Sequence, residues 1–118
     1  MRPIEYHAVT PRIVVRANEL ARHVAFFRDV FAATGEVRDG APTELVIGDS
    51  RVMVSSAGER DCFAAFLYIY VDDADATYIR AVEHGATSIE PPLDTPYGDR
   101  RAMVRDPFGN LLQIAHRR

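Results

Sequence analysis

The chain has no tryptophan and a single cysteine among its 118 residues. Without a second thiol there is no internal disulfide, and nothing points to a secreted, disulfide-stapled scaffold. Cys62 falls in a polar connection between apolar runs, a setting that reads as incidental and not nucleophilic. No stretch approaches the roughly 18 consecutive apolar residues of a membrane span. The N-terminus lacks a charged-then-apolar signal pattern, so the chain reads as cytoplasmic with no membrane partner. Positive charge is not in excess either. The formal net charge of −3 argues against nucleic acid as a partner, because phosphate binding needs a concentrated basic face. The arginines at Arg100, Arg101, Arg105, Arg117 and Arg118 read as solvated strand faces and a tail.

What the chain does have is ordinary globular composition, 47% hydrophobic and 26% charged, in a length that suits one compact domain over 1–118. Residues 12–16 are β-branched and extended. Asn18 is placed to cap a helix in which Leu20, Val24, Phe27 and Phe31 form one stripe, running to about Thr34 with Gly35 as terminator. Extended pieces follow near 36–39, 43–48 and 51–56, separated by turn-rich glycines.

The same order then repeats. Residues 66–71 form an aromatic and β-branched strand, and Asp72-Asp73 opens a helix whose buried face is marked by Ile79 and Val82 and which stops at Gly85. Extended pieces recur near 87–90, 101–105 and 111–115. The chain therefore reads as two βαβββ modules, about 8–57 and 64–116, in an α+β fold with helices covering one sheet face.

The last stretch is the most specific. Residues 101–105 alternate charged and apolar side chains. Asp106-Pro107-Phe108-Gly109-Asn110 supplies an Asx residue, a fixed-φ proline and a glycine, and residues 111–115 resume an extended apolar run. Asp106 and Asn110 are accounted for by turn geometry. Asp99 and Arg100 lie in the loop before this strand and are expected to be solvated.

Arg105-Asp106-Pro107-Phe108-Gly109-Asn110 resembles the closing "RDPxGN" turn of the vicinal oxygen chelate superfamily, which includes glyoxalase I, extradiol dioxygenases, fosfomycin-resistance enzymes and bleomycin-binding proteins. Residues 12–16 and the stretch at 70–86 resemble it in the same order and spacing. The resemblance implies a U-shaped, eight-stranded mixed sheet, built from the two modules around a concave pocket, and a homodimer. Metal-dependent relatives carry one ligand on the first and last strand of each module. The matching opening positions here are Thr10 and Phe66. The last strand of module one, 51–55, has no carboxylate or imidazole, and that of module two offers only Gln113, where relatives can carry a glutamate. No metal site and no cofactor are carried over.

The histidines do not rescue one. His7 precedes the first strand and needs a shifted register, His23 lies off the helix stripe, His84 closes the second helix, and His116 has the opposite strand parity to Gln113. Strand parity instead predicts a ligand-binding lining. Arg12 and Val14 are in phase with Thr10; Tyr68 and Tyr70 are in phase with Phe66; Leu111 and Ala115 are in phase with Gln113. Met53 and Ser55 share one face, with the choice of face left open. The expected function is metal-independent binding of a small molecule, for drug or metabolite sequestration as in antibiotic resistance. The ligand is neutral or anionic if Arg12 faces it. The alternative is a glyoxalase-like lyase, isomerase or dioxygenase, in which Tyr68 or Tyr70 serves as acid and His7 as base. A third reading fills the concave face with the protein's own side chains.

Overall fold

A computed structural model describes residues 8–38, 40–57 and 62–118. The chain divides into two compact units, Met1–Phe63 and Ala64–Arg118. Each carries one sheet and one α-helix, and each is described by itself.

In the first unit, β1 (Arg12–Val15), β2 (Thr43–Ile47) and β3 (Ser50–Ser56) form a sheet of order β1-β3-β2. β1 runs parallel to β3 and β2 antiparallel to it. Strand alternation turns Ile13, Val15, Leu45, Val52 and Val54 to one side, where all are buried. Helix α1 (Leu20–Phe31) packs on β3 and buries His23, Val24, Phe26, Phe27, Val30 and Phe31. The expected stripe is thus wider than drawn, and His23 belongs to it: the ring is fully buried, with its centroid 4.8 Å from that of Phe27. An apolar face on a globular helix spans well over 100°, which admits a neighbour of the strict stripe.

The ends of α1 also differ from expectation. A 3-10 turn, Ala17–Glu19, precedes the helix, and Glu19 stands at its N-cap position in place of Asn18. The helix stops at Phe31, where Ala32 adopts a left-handed conformation with φ of 55°. Gly35 serves another purpose. A Cβ there would lie 2.3 Å from the Glu44 carbonyl oxygen, so glycine allows the chain to pass close against β2. That pass makes a single bridge, Thr34 to Val46. No strand occupies 36–38, and Asp39 lies outside the described residues. The described residues therefore form seven strands and not the expected eight.

In the second unit, β4 (Phe66–Tyr70), β5 (Thr87–Asp94), β6 (Asp99–Arg105) and β7 (Leu111–Arg117) form a sheet of order β4-β7-β6-β5. β4 is parallel to β7, and the other neighbours are antiparallel. Helix α2 (Ala74–Glu83) begins as expected at Asp73, whose carboxylate accepts the Ala76 N–H at 3.1 Å. His116 adds a second cap from β7: its Nδ1 accepts the Ala74 N–H at 2.8 Å. The buried face of α2 is Ala74, Thr77 and Ala81. Ile79 and Val82, expected there, are 55% and 41% exposed. Three small residues let the helix lie close on the sheet, and the register fixed at Asp73 turns the larger side chains outward.

The closing turn is a self-contained hydrogen-bonded unit. Asp106 Oδ1 accepts the N–H groups of Phe108 and Asn110, both at 2.9 Å, and Oδ2 accepts the Asn110 side-chain amide at 3.0 Å. Asn110 Oδ1 in turn accepts the Ala65 N–H at 2.9 Å, joining the turn to the start of β4. Turn geometry accounts for both residues. Burial pushes the Asp106 carboxyl above its ordinary range, against the bonds from Asn110, Phe108 and Gly109.

Candidate functional site

Alternation along β4 sends Leu67 and Ile69 toward the helix-covered side and Phe66, Tyr68 and Tyr70 to the opposite, open side. The register continues that open face across the sheet. Phe66 stands opposite Leu111, Tyr68 opposite Gln113 and Tyr70 opposite Ala115; β7 then sets Leu111, Gln113, Ala115 and Arg117 against Arg105, Met103, Arg101 and Asp99 of β6. Phe66 is 63% exposed, Tyr70 56% and Tyr68 38%. These rings are therefore not core packing within their unit. The Tyr68 and Tyr70 ring centroids lie 5.3 Å apart at an interplanar angle of 55°. Phe66 and Gln113 share the face, but Gln113 is paired with Tyr68 and not with Phe66.

Asp99 organises this face. It opens β6 and is fully buried, contrary to the solvated loop expected of it. The β5–β6 turn puts it there. Gly98, with φ of 94°, donates its N–H to the Thr95 carbonyl at 3.2 Å; Asp99 N–H bonds Thr95 Oγ1 at 2.9 Å, and that hydroxyl donates back to the Asp99 carbonyl at 3.1 Å. The carboxylate then takes the Tyr68 hydroxyl at 2.7 Å and the Tyr70 hydroxyl at 2.8 Å, both on Oδ2. Arg117 Nε meets Oδ1 at 3.0 Å, an ion pair without hydrogen-bond alignment.

The bond from Tyr68, with that from Tyr70 and the Arg117 charge, holds the Asp99 carboxyl below the usual range, although burial pulls the other way. Loss of water raises the Tyr68 phenol well above its ordinary value, and the bonds to Tyr97 and Asp99 add to the rise. Tyr97, on the turn, reaches Tyr68 hydroxyl to hydroxyl at 3.3 Å, and Arg101 bonds Glu90 at 2.9 Å on the same sheet. Arg100 points to the other side and is half-buried between Asp75 and Asp94, both at 3.2 Å.

Sequence reasoning missed Asp99, Tyr97 and Arg117 as parts of this arrangement. Parity holds the signal, since Asp99 is in phase with Arg101 and Met103, but an extended piece that starts at residue 101 stops two residues short of it.

In the first unit, Arg12, Val14, Met53 and Ser55 share the sheet face opposite the buried one, which settles the face of Met53 and Ser55. Arg12 Nε donates to Ser55 Oγ at 3.0 Å, and Glu44, opposite Met53, meets Arg38 at 3.3 Å and Arg51 at 3.9 Å.

The donor set does not fit a divalent cation. Phe66 offers no donor, Thr10 a hydroxyl and Gln113 a neutral amide, while β3 carries neither carboxylate nor imidazole. Among the described residues, no three His, Cys, Asp or Glu side chains are grouped to hold a metal. His7 lies outside the described residues. His84 Nδ1 lies 2.8 Å from the Arg80 carbonyl, and His116 caps α2.

A sequence model of the Glyoxalase/Bleomycin resistance protein/Dioxygenase superfamily matches residues 10–114. The chain belongs to this superfamily. The membership expected from the closing hairpin is thereby shown, and solved structures share the superfamily's fold with it. TioX from Micromonospora sp. ML1 is 24% identical with a TM-score of 0.75, the alignment covering 94% of this chain and 100% of that one. A glyoxalase/bleomycin resistance protein/dioxygenase family enzyme from Burkholderia phytofirmans PsJN is 23% identical with a TM-score of 0.77, covering 91% and 95%. Lactoylglutathione lyase from Agrobacterium tumefaciens is 19% identical with a TM-score of 0.68, covering 93% and 94%. At such identities the likeness is one of fold. No curated protein matches the chain. No helix among the described residues is long and apolar enough to cross a membrane.

Proposed function

We propose that this superfamily member binds a small organic molecule without a metal, on the open sheet face of its second unit. One observation carries the reading: Phe66, Tyr68 and Tyr70 stand exposed in a row, with Gln113 opposite Tyr68, and among the described residues no three His, Cys, Asp or Glu side chains are grouped to hold a cation. Exposed rings cost free energy in water and gain it against an apolar ligand, and the phenol and amide groups orient what they hold. Arg12, Val14 and Met53 form the corresponding open face of the first unit and are proposed as a ligand-contact surface in its own right. Drug or metabolite sequestration by a cytoplasmic homodimer belongs to the same proposal, with its support in the family resemblance.

The enzyme alternative finds little help on this face. A phenol serving as general acid must release its proton to substrate, yet Tyr68 and Tyr70 both donate to Asp99, and the Tyr68 phenol is pushed further from ionisation. The base proposed for that chemistry, His7, is not among the described residues.

A thermal-shift screen tests the reading. Stabilisation by planar organic compounds, unchanged by EDTA and reduced in Phe66→Ala, supports it. A large stabilisation by a divalent cation alone overturns it. Light scattering in solution tests the homodimer.

A further inference from the structure

We propose that Asp99 is a positioning residue that turns Tyr68 and Tyr70 into hydrogen-bond acceptors, so that the open face of the second unit selects neutral, planar ligands bearing hydroxyl or N–H donors. This rests on the small-molecule reading given above and names the ligand class of that site.

The argument is one of proton counting. A phenol has one proton to give and lone pairs to receive with. An ionised carboxylate has no proton, so at both the 2.7 Å and the 2.8 Å contact the phenol is the donor. Each hydroxyl has thereby spent its only proton toward the protein. What it offers to a third group is lone pairs alone.

The groups that touch those lone pairs obey the same rule. Across 3.3 Å the Tyr97 hydroxyl is then the donor to Tyr68, and Arg117 Nη2 points at the Tyr70 oxygen from 3.5 Å. Both contacts are long and belong to exposed side chains, Tyr97 on a turn and Arg117 near the end of β7. A better-placed donor on a ligand can replace them. A carboxylate or ether presented to the two phenols meets lone pair against lone pair. Arg117 and Arg101 are already paired with Asp99 and Glu90, so these pairs leave no net charge for a charged ligand to answer, and a neutral donor suits the face best.

Asp99 is suited to hold this state. It is fully buried, fixed through its own backbone to Thr95, and paired with Arg117, an arrangement that keeps it ionised. Asparagine has nearly the same shape but can donate, so Asp99→Asn frees a phenol proton to point outward.

Two measurements test the proposal on the full chain. The first is proton NMR at neutral pH. It is expected to show two slowly exchanging hydroxyl protons correlated with the rings of Tyr68 and Tyr70, and absence of both overturns the proposal. The second compares 2-naphthol, which has a donor, with 2-methoxynaphthalene, which has only an acceptor, by chemical-shift titration of labelled protein. The wild type is expected to bind the naphthol about 5-fold more tightly, the size of one net hydrogen bond. Asp99→Asn is expected to bring the ratio to about 1 or below. Equal binding of both probes by the wild type, or an unchanged ratio in the variant, overturns the acceptor assignment and leaves the binding reading standing. Protected hydroxyl protons with neither probe binding at this face overturn the binding reading instead. Should Asp99→Asn fail to fold, Tyr70→Phe removes one acceptor and is expected to lower the same ratio.

Discussion

The two units share an element order but put their aromatic residues in opposite places. In the first, Phe26, Phe27 and Phe31 are carried on α1 and packed in the core, with ring centroids 5.5–6.5 Å apart. In the second, α2 buries only Ala74, Thr77 and Ala81, and the aromatic row stands on the open face of the sheet. A helix with a small-residue face can sit close to its sheet and needs no large side chains to fill the gap. That frees the rings of β4 for something other than stability. The difference teaches which aromatics hold the protein together and which are available to a ligand.

The largest expected effect breaks the first unit. Phe27 is fully buried, and Phe27→Ala should cost about 3–5 kcal/mol, read as a lowered urea midpoint. In the second unit the counterpart loss comes from polar groups. Asn110→Ala removes the acceptor of the Ala65 N–H and a partner of Asp106, and should cost about 1–3 kcal/mol in the same assay.

His23 gives the first unit a pH dependence. Burial lowers its pKa from 6.5 to about 4, with Glu19 opposing the shift. Between those values the unfolded chain binds the extra proton, so stability is full above about pH 6.5 and falls as pH drops toward 4. About 3 kcal/mol is at stake from this group. Asp106 acts the other way, because a raised carboxyl favours the folded state as pH falls. Stability measured by urea titration across this range should lose much of its slope in His23→Leu.

The smallest effects on stability fall on the exposed side chains. Ile79→Ser should stay within about 0.5 kcal/mol of the wild type, and a larger loss would mean that α2 is packed on its outer side as well. Phe66→Ala should be equally mild in stability while weakening ligand binding, which separates the open face from the core.

Sequence legibility follows where local chemistry decides. Asp73 and the Asp106–Asn110 turn were readable because caps and Asx turns are made by residues adjacent in the chain. The open face of β4 was readable because alternation along one strand needs no knowledge of its neighbours. Other features depend on what lies across space. Whether Ile79 or Ala81 is buried is decided by how close a helix lies to its sheet, and neither residue announces it. Gly35 reads as a helix stop in sequence, while its structural reason, the approach to Glu44, comes from β2. Asp99 depends on where β6 begins and on the Thr95 turn. The eighth strand fails for a related reason: the Thr34–Val46 bridge lies before Gly35, and beyond it, among the described residues, Arg38 reaches β2 through the side chains of Thr43 and Glu44 and forms no strand ladder.

Native mass spectrometry on the purified chain, before and after dialysis against EDTA, is the most direct test of metal-free capture by the aromatic row. An organic compound that stays bound through chelation in the wild type and is lost in the combined Phe66→Ala, Tyr70→Ala variant is the predicted result. A stoichiometric divalent cation whose removal releases the compound would contradict it.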